Sequence, residues 1–211
     1  LMLDRGNRHQ DALVEIDALL DDDPDNPALR NLKAVVLGKL GDYGDAIALY
    51  ESILRERPKD ARVWMSLGHA LKTEGATVRA IIAYRRALEL DPGFGGAWWS
   101  LANLKTVRFD AGDIAAMRQQ LQRSDLDDEQ RLHFEFALGK ALEDAGDYAG
   151  SFAHYASGNA AAVALLDPGV LDDPGVYPTP EVMAKLFPNL ARSPEFTRAL
   201  NRTWTRFTTG K

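Results

Sequence analysis

Three prolines, Pro24, Pro58 and Pro92, stand 34 residues apart, and the residues between them recur in step. Alanines fall at the same interval (Ala12, Ala46, Ala80), as do two sets of leucines (Leu3, Leu37, Leu71 and Leu20, Leu54, Leu88), and Tyr50 is answered by Tyr84. A period of this length marks a supersecondary unit that cannot bury its apolar face alone and must stack on its neighbours. The chain is therefore expected to be built by repetition, and its surface to hold a partner.

The clearest unit runs from Ala61 to Phe94 and reads as two helices joined at Gly75. Trp64, Leu67, Gly68 and Leu71 define one face of the first helix, and Ala80, Tyr84, Ala87 and Leu88 one face of the second. Large residues face small ones. Gly68 and Ala80 allow two backbones to approach, while Trp64 and Tyr84 fill the space on either side. Gly75 suits a left-handed helix end, and Pro92 lacks the N–H needed to continue the second helix.

With Trp64, Leu67, Gly68, Ala80, Tyr84, Ala87 and Pro92 in their slots, the unit resembles a tetratricopeptide repeat. The resemblance implies an all-α fold: a right-handed solenoid of antiparallel helix pairs. Repeat 27–60 is weaker in its first helix, where Arg30, Lys33 and Ala34 replace the Trp and Leu-Gly signals, but keeps Gly41, Asp42, Tyr43, Ala46, Tyr50 and Pro58. Residues 3–26 read as the back half of a partial repeat whose leading helix is missing, so the N-terminus is expected to be incomplete. Repeat 95–128 is degenerate: Trp98, Leu101 and Ala102 hold register, then Phe109 takes the turn slot and Ile114 the alanine slot. Repeat 132–165 restores the pattern with Leu138, Gly139, Leu142, Gly146, Tyr148, Ser151 and Tyr155. Its offset of three residues places an insertion at Ser124–Gln130, which also carries a helix-start signal of Asp and Ser ahead of Glu129.

The repeats are expected to form one domain, 1–165, followed by a proline-rich linker and helical appendage, 166–211, which holds six of the ten prolines. Pro180 and Pro194 can each open a helix, 180–187 and 194–207. The second is amphipathic, with Phe196, Leu200, Trp204 and Phe207 on one side and Arg198, Arg202 and Arg206 on another. Solenoid ends need covering, so the expectation is C-terminal capping helices; a homodimer through this helix is the alternative.

Composition agrees with a helical domain: 211 residues, 45% hydrophobic, mean hydropathy −0.27. No stretch reads as a bilayer span or a leader; the absence of cysteine excludes disulfides and cysteine metal sites but leaves the redox compartment open, and the cytoplasm is the default expectation. The net charge of −6 argues against a nucleic-acid partner, which needs a basic surface. Acidic residues crowd 17–26, whereas 192–211 carries five basic residues against Glu195.

The functional expectation is a protein-protein interaction module. Arg62, Met65, His69 and Lys72 recur at helical spacing, well around the first helix from Trp64 and Leu67. The family resemblance implies that such positions line a concave groove. The matching slots are Asn31 and Val35 in the earlier unit, with Lys39 one place past its last slot. They are Trp99 and Asn103 in the degenerate unit, and His133, Phe136 and Lys140 in the last. Cations and amides pair with carboxylates and aromatic residues offer apolar pockets, so the expected ligand is an extended, acidic protein or peptide segment.

No enzyme is expected. His9, His69, His133 and His154 are scattered without metal-ligand spacing, so no metal or cofactor is assigned. Ser66, His69 and Glu74 share a helix without an oxyanion site, so no catalytic residue is assigned. Gly93, Gly95 and Gly96 follow no strand, and read as a turn between repeats rather than a phosphate loop.

Ala97–Arg108 and Phe136–Asn159 are also similar to the segment preceding the transferase domain in bacterial tetratricopeptide-sulfotransferase proteins. That resemblance implies, as an alternative, a regulatory or substrate-presenting portion of a sulfotransferase whose catalytic domain is absent from this chain. The family's phosphosulfate loop has no counterpart here. Arg192-Ser193-Pro194 comes nearest, with a proline where glycine N–H groups should meet phosphate.

Overall fold

The computed structural model describes residues 2–165. The chain divides into two compact units, Leu1–Ala162 and Val163–Lys211. The expected helices at 180–187 and 194–207, with their capping or dimerising role, lie outside the described residues. Among those residues there are nine helices and no strand: α1 (Met2–Asp22), α2 (Pro27–Leu40), α3 (Tyr43–Glu56), α4 (Ala61–Glu74), α5 (Thr77–Leu90), α6 (Gly95–Asn103), α7 (Ala111–Leu121), α8 (Asp128–Asp144) and α9 (Tyr148–Leu165).

Helix starts and stops follow from local chemistry repeated at the period. Asn26 accepts from the N–H groups of Ala28 and Leu29 at 3.0 and 3.2 Å, and Asp60 from Arg62 and Val63, both at 3.1 Å. Such N-caps each contribute about 1 kcal/mol. At the other end, Gly41, Gly75 and Gly146 have φ of 96°, 93° and 81°, a region costly for a residue with a Cβ. The N–H of the residue after each of these glycines then reaches back to Leu37, Leu71 or Leu142, at 2.9 Å in each case.

Packing follows the large-against-small pattern. Gly68 is buried on α4, and a Cβ there would stand 2.5 Å from the ring of Tyr84. Gly139 on α8 meets Tyr155 in the same way at 2.7 Å, and in the first full repeat the fully buried Ala34 occupies the slot opposite Tyr50. Ala46 and Ala80 are also fully buried, so the two helices of each pair meet close to backbone contact. Two indoles fasten each repeat to the one before: Trp64 Nε1 donates to the carbonyl of Pro58 at 2.9 Å, and Trp98 Nε1 to that of Pro92 at 3.1 Å.

The first full repeat has Arg30 in that tryptophan slot, and the structure explains why it still folds. Arg30 is buried, donates to Glu56 Oε1 and Oε2 at 2.8 and 2.5 Å, and reaches the carbonyl of Asp25 at 3.0 Å. The planar fork thus ties α2 to α3 within the repeat, and only the bond to the Asp25 carbonyl takes the place of the indole N–H that reaches back to the preceding turn in the next two repeats.

The pairing changes after α5. Helices α1 to α6 pack in chain order, but the principal partner of α6 is α8, and α7 packs on α8 as well. Three slots account for this. Phe109 stands where glycine would turn the chain, Ile114 where alanine would let helices close, and the exposed Arg118 where tyrosine would fill the notch at Ala102. The connector between α6 and α7 instead sends Val107 and Phe109 into the core, with Phe109 5.9 Å from the Trp98 ring. Arg85 ties α7 to α5 through Asp113 at 2.5 and 2.8 Å, and its guanidinium lies 6.0 Å from the Trp98 ring centre and 5.7 Å from that of Phe109.

The insertion after Leu121 is partly taken up as helix. α8 begins at Asp128, a turn before Leu132, with Asp127 accepting from Gln130 N–H at 2.7 Å. Gly95 and Gly96 differ from the expected turn: they are buried in the first turn of α6. A Cβ on Gly95 would come within 2.8 Å of the Gln130 carbonyl, so α6 and α8 approach there backbone to backbone.

Candidate functional site

The first helix of each repeat, α2, α4, α6 and α8, carries the candidate positions. One slot holds Asn31, Met65, Trp99 and Phe136 in turn, and the next holds Val35, His69, Asn103 and Lys140. Along the first of these series the side chains pass from amide to thioether to indole to phenyl. Apolar character therefore grows along the chain.

The later members are in contact. Trp99 and Phe136 are half-buried with ring centres 5.3 Å apart, and Phe136 lies 6.1 Å from Tyr155 on α9. Trp99 thus packs on the following repeat while keeping part of its surface open. Gly96 joins α4 to α8, since a Cβ there would meet the Met65 methyl at 3.4 Å and the His133 ring at 3.9 Å. Asn31 Oδ1 and His133 Nδ1 are buried without a hydrogen-bond partner among the described residues.

The charged candidates are not equivalent. Arg62, Lys72, Lys39 and Asn103 are exposed, and no ion pair engages these cations among the described residues. Lys140 is half-buried and bound to Asp144 at 2.5 Å, one helical turn on. Close by, His154 Nδ1 meets Glu135 at 2.6 Å, and Tyr155 donates to Glu143 at 3.2 Å. The face therefore offers unpaired cations on α4 and neutralised ones on α8.

Two candidate histidines have their protonation suppressed. His69 is exposed, yet its ring lies edge-on to Tyr84, 5.5 Å between centres, with Nδ1 3.1 Å from the phenol oxygen. Desolvation of the ring face that meets Tyr84, then the charge of Lys72, hold its imidazole below the ordinary histidine range although one edge stays open. Burial likewise lowers His133, opposed by Glu129 and Asp127. Tyr84 is pushed up to about 12 by burial, against a hydrogen bond from Ser100. Sequence reasoning missed the Lys140–Asp144 pair, although its spacing of four is a readable signal, and missed the Tyr84–His69 bond, which depends on how two helices meet.

Residues 32–93 match the tetratricopeptide repeat family. The chain is 31% identical over 177 residues, 80% of its length, to cellulose synthase 2 operon protein C of Komagataeibacter xylinus. It is 41% identical over 61 residues, 29% of its length, to the peroxisomal targeting signal receptor of Saccharomyces cerevisiae. It spans only 13% and 10% of the lengths of those two relatives. Among solved structures it superposes on MamA with a TM-score of 0.56 at 18% identity, covering 74% of this chain and 90% of that one. The fold is thus an all-helical stack of tetratricopeptide type. No helix among the described residues is long and apolar enough to cross a membrane.

Proposed function

We propose that the chain is a non-catalytic interaction module that binds an extended protein or peptide segment along the face built from α2, α4, α6 and α8. The observation that carries this is the continuous series Met65, Trp99 and Phe136 beside the unpaired cations Arg62 and Lys72. A stack of this kind binds through a long surface rather than an enclosed cavity. The name of one relative, a receptor for a targeting signal, agrees with recognition of a segment of another protein. The partner's acidic groups belong at α4, where cations are free, and its apolar groups at α6 and α8, where Lys140 is already neutralised. Asn31, Lys39, Asn103 and His133 flank that track.

The test is titration calorimetry of acidic peptides against two single variants. Lys72→Glu is expected to weaken binding about tenfold or more, since a favourable contact becomes a repulsion. Lys140→Glu is expected to change it less than threefold, about 0.6 kcal/mol. Equal effects would sink the division of the face, and no effect of either would sink the face itself. The sulfotransferase-associated alternative rests on the resemblance of Ala97–Arg108 and Phe136–Asn159 alone. For it, the phosphosulfate donor is expected not to bind this chain detectably.

A further inference from the structure

The geometry points to His69 as the residue that couples acidic-partner binding on α4 to proton uptake. The inference rests on the reading that this face takes an acidic segment. Its basis is where the imidazole sits. His69 shares one side of α4 with Arg62, Met65 and Lys72, and it is exposed to whatever those cations hold. Its Nδ1 is engaged by the Tyr84 hydroxyl at 3.1 Å, with the two rings at 73°. That contact fixes the ring and leaves Nε2 as the nitrogen free to meet a ligand.

Tyr84 is immobile enough to do this. It is fully buried and clamped in the notch at Gly68. The slots matching His69 are Val35, Asn103 and Lys140, so none of the other repeats places a titratable group of neutral-range pKa there. The groups acting on the ring are few: Lys72 from its own helix and the phenol of Tyr84 from α5. Desolvation of the ring, and then the Lys72 charge, hold the imidazole below its ordinary range when the face is empty.

A carboxylate arriving between Arg62 and Lys72 reverses the balance. It offsets the Lys72 charge and accepts a hydrogen bond from a protonated Nε2, while Nδ1–H donates to the Tyr84 phenol oxygen. Both ring N–H groups then have an acceptor, the ligand carboxylate and the Tyr84 oxygen 3.1 Å away, so the charged ring is accommodated where it stands. Raising the imidazole pKa by about one unit on binding allows at most a tenfold gain in affinity as the ring becomes protonated.

The experiment uses the full chain with hexaglutamate as the probe, titrated between pH 8 and pH 5.5, where the probe itself stays largely ionised. Binding is expected to tighten about fivefold across that interval, and calorimetry in buffers of differing ionisation enthalpy is expected to show net proton uptake. His69→Gln should bind at the pH 8 level throughout, whereas His133→Gln should keep the native dependence. Should His69→Gln fail to fold, the titration of the His69 ring protons by NMR, with and without probe, gives the same answer in the native chain: an upward pKa shift on binding is expected. Affinity that does not change with pH, an unshifted His69 ring, or a dependence that survives in His69→Gln would overturn the coupling while leaving the binding face intact. Absence of hexaglutamate binding at every pH would overturn the acidic-partner reading, and the coupling with it.

Discussion

The helices from α2 to α5 and those from α6 to α9 descend from one pattern and pack differently. In the first group Tyr84 fills the notch left by Gly68, Tyr50 and Ala34 are buried at the equivalent slots, and each helix packs on the next in the chain. In the second, α6 skips its neighbour to pack on α8, and order returns where Gly139 receives Tyr155. The overall apolar content does not explain the difference, since α6 is among the most deeply buried helices. What is lost is a matched set of three slots, and Phe109, Ile114 and Arg118 occupy all of them. Pairing in such a stack is therefore governed by a few size-complementary contacts, and hydrophobicity alone leaves the choice of partner open.

The comparison can be broken most sharply at the knob. Tyr84→Ala should cost about 3–5 kcal/mol, the range for removing a large buried ring, whereas Arg118→Ala at the equivalent exposed slot should stay within about 0.5 kcal/mol. Urea unfolding measures both, and similar costs would remove the distinction drawn between the two groups of helices.

The notch gives the next largest effect. Gly68→Ala improves helix propensity by about 1 kcal/mol, yet it forces a methyl against the fixed Tyr84 ring and should be net destabilising by about 1–2 kcal/mol. Gly38 on α2 has nothing within 4 Å of its Cβ position, so Gly38→Ala should stabilise by about 0.5–1 kcal/mol. Opposite signs in the same denaturation assay are the expected result.

The tether of α7 comes third. The Arg85 and Asp113 side chains are 34% and 13% exposed, so Arg85→Ala leaves a mostly covered carboxylate without its partner and should cost about 1–2 kcal/mol. Hydrogen exchange should localise the loss to amides of α7 rather than α3. Uniform loss across the chain would contradict the tether.

The smallest effect is a pH dependence at the first repeat. The Arg30 guanidinium, by hydrogen bond and then charge, holds the Glu56 carboxyl below the ordinary carboxylate value of 4.5. A depressed folded-state pKa stabilises above the unfolded value and loses that contribution as pH falls through the folded one. Glu56→Gln should therefore lower the melting temperature at pH 6 and make little difference near pH 3. A gap between variant and native chain that widens on acidification would refute this sign.

Much of this architecture was legible in the residues. The period, the turn glycines, and the opposition of Gly68 and Ala80 to Tyr84 are all local or strictly periodic, and periodic signals survive in one dimension. Arg30 breaks the tryptophan pattern along the chain, and its pairing with Glu56 joins residues 26 apart and has no signature there. The pairing of α6 with α8 was equally hidden, since Phe109 and Ile114 marked a disturbance without saying where α6 would turn instead. For the candidate face, the slots of the first helices were readable, while the neutralisation of Lys140 and the bond between His69 and Tyr84 emerged only from the folded arrangement.

The guanidinium of Arg30 closes the first full repeat on itself through Glu56, whereas Trp64 and Trp98 hold one repeat to the next, so the two kinds of fastening differ in vulnerability. Guanidinium chloride is both a competitor for the Glu56 carboxylate and a screening salt, and urea is neither. The ionic clasp between α2 and α3 should loosen early in the charged denaturant while the two indole bonds hold, and in urea all three should yield together.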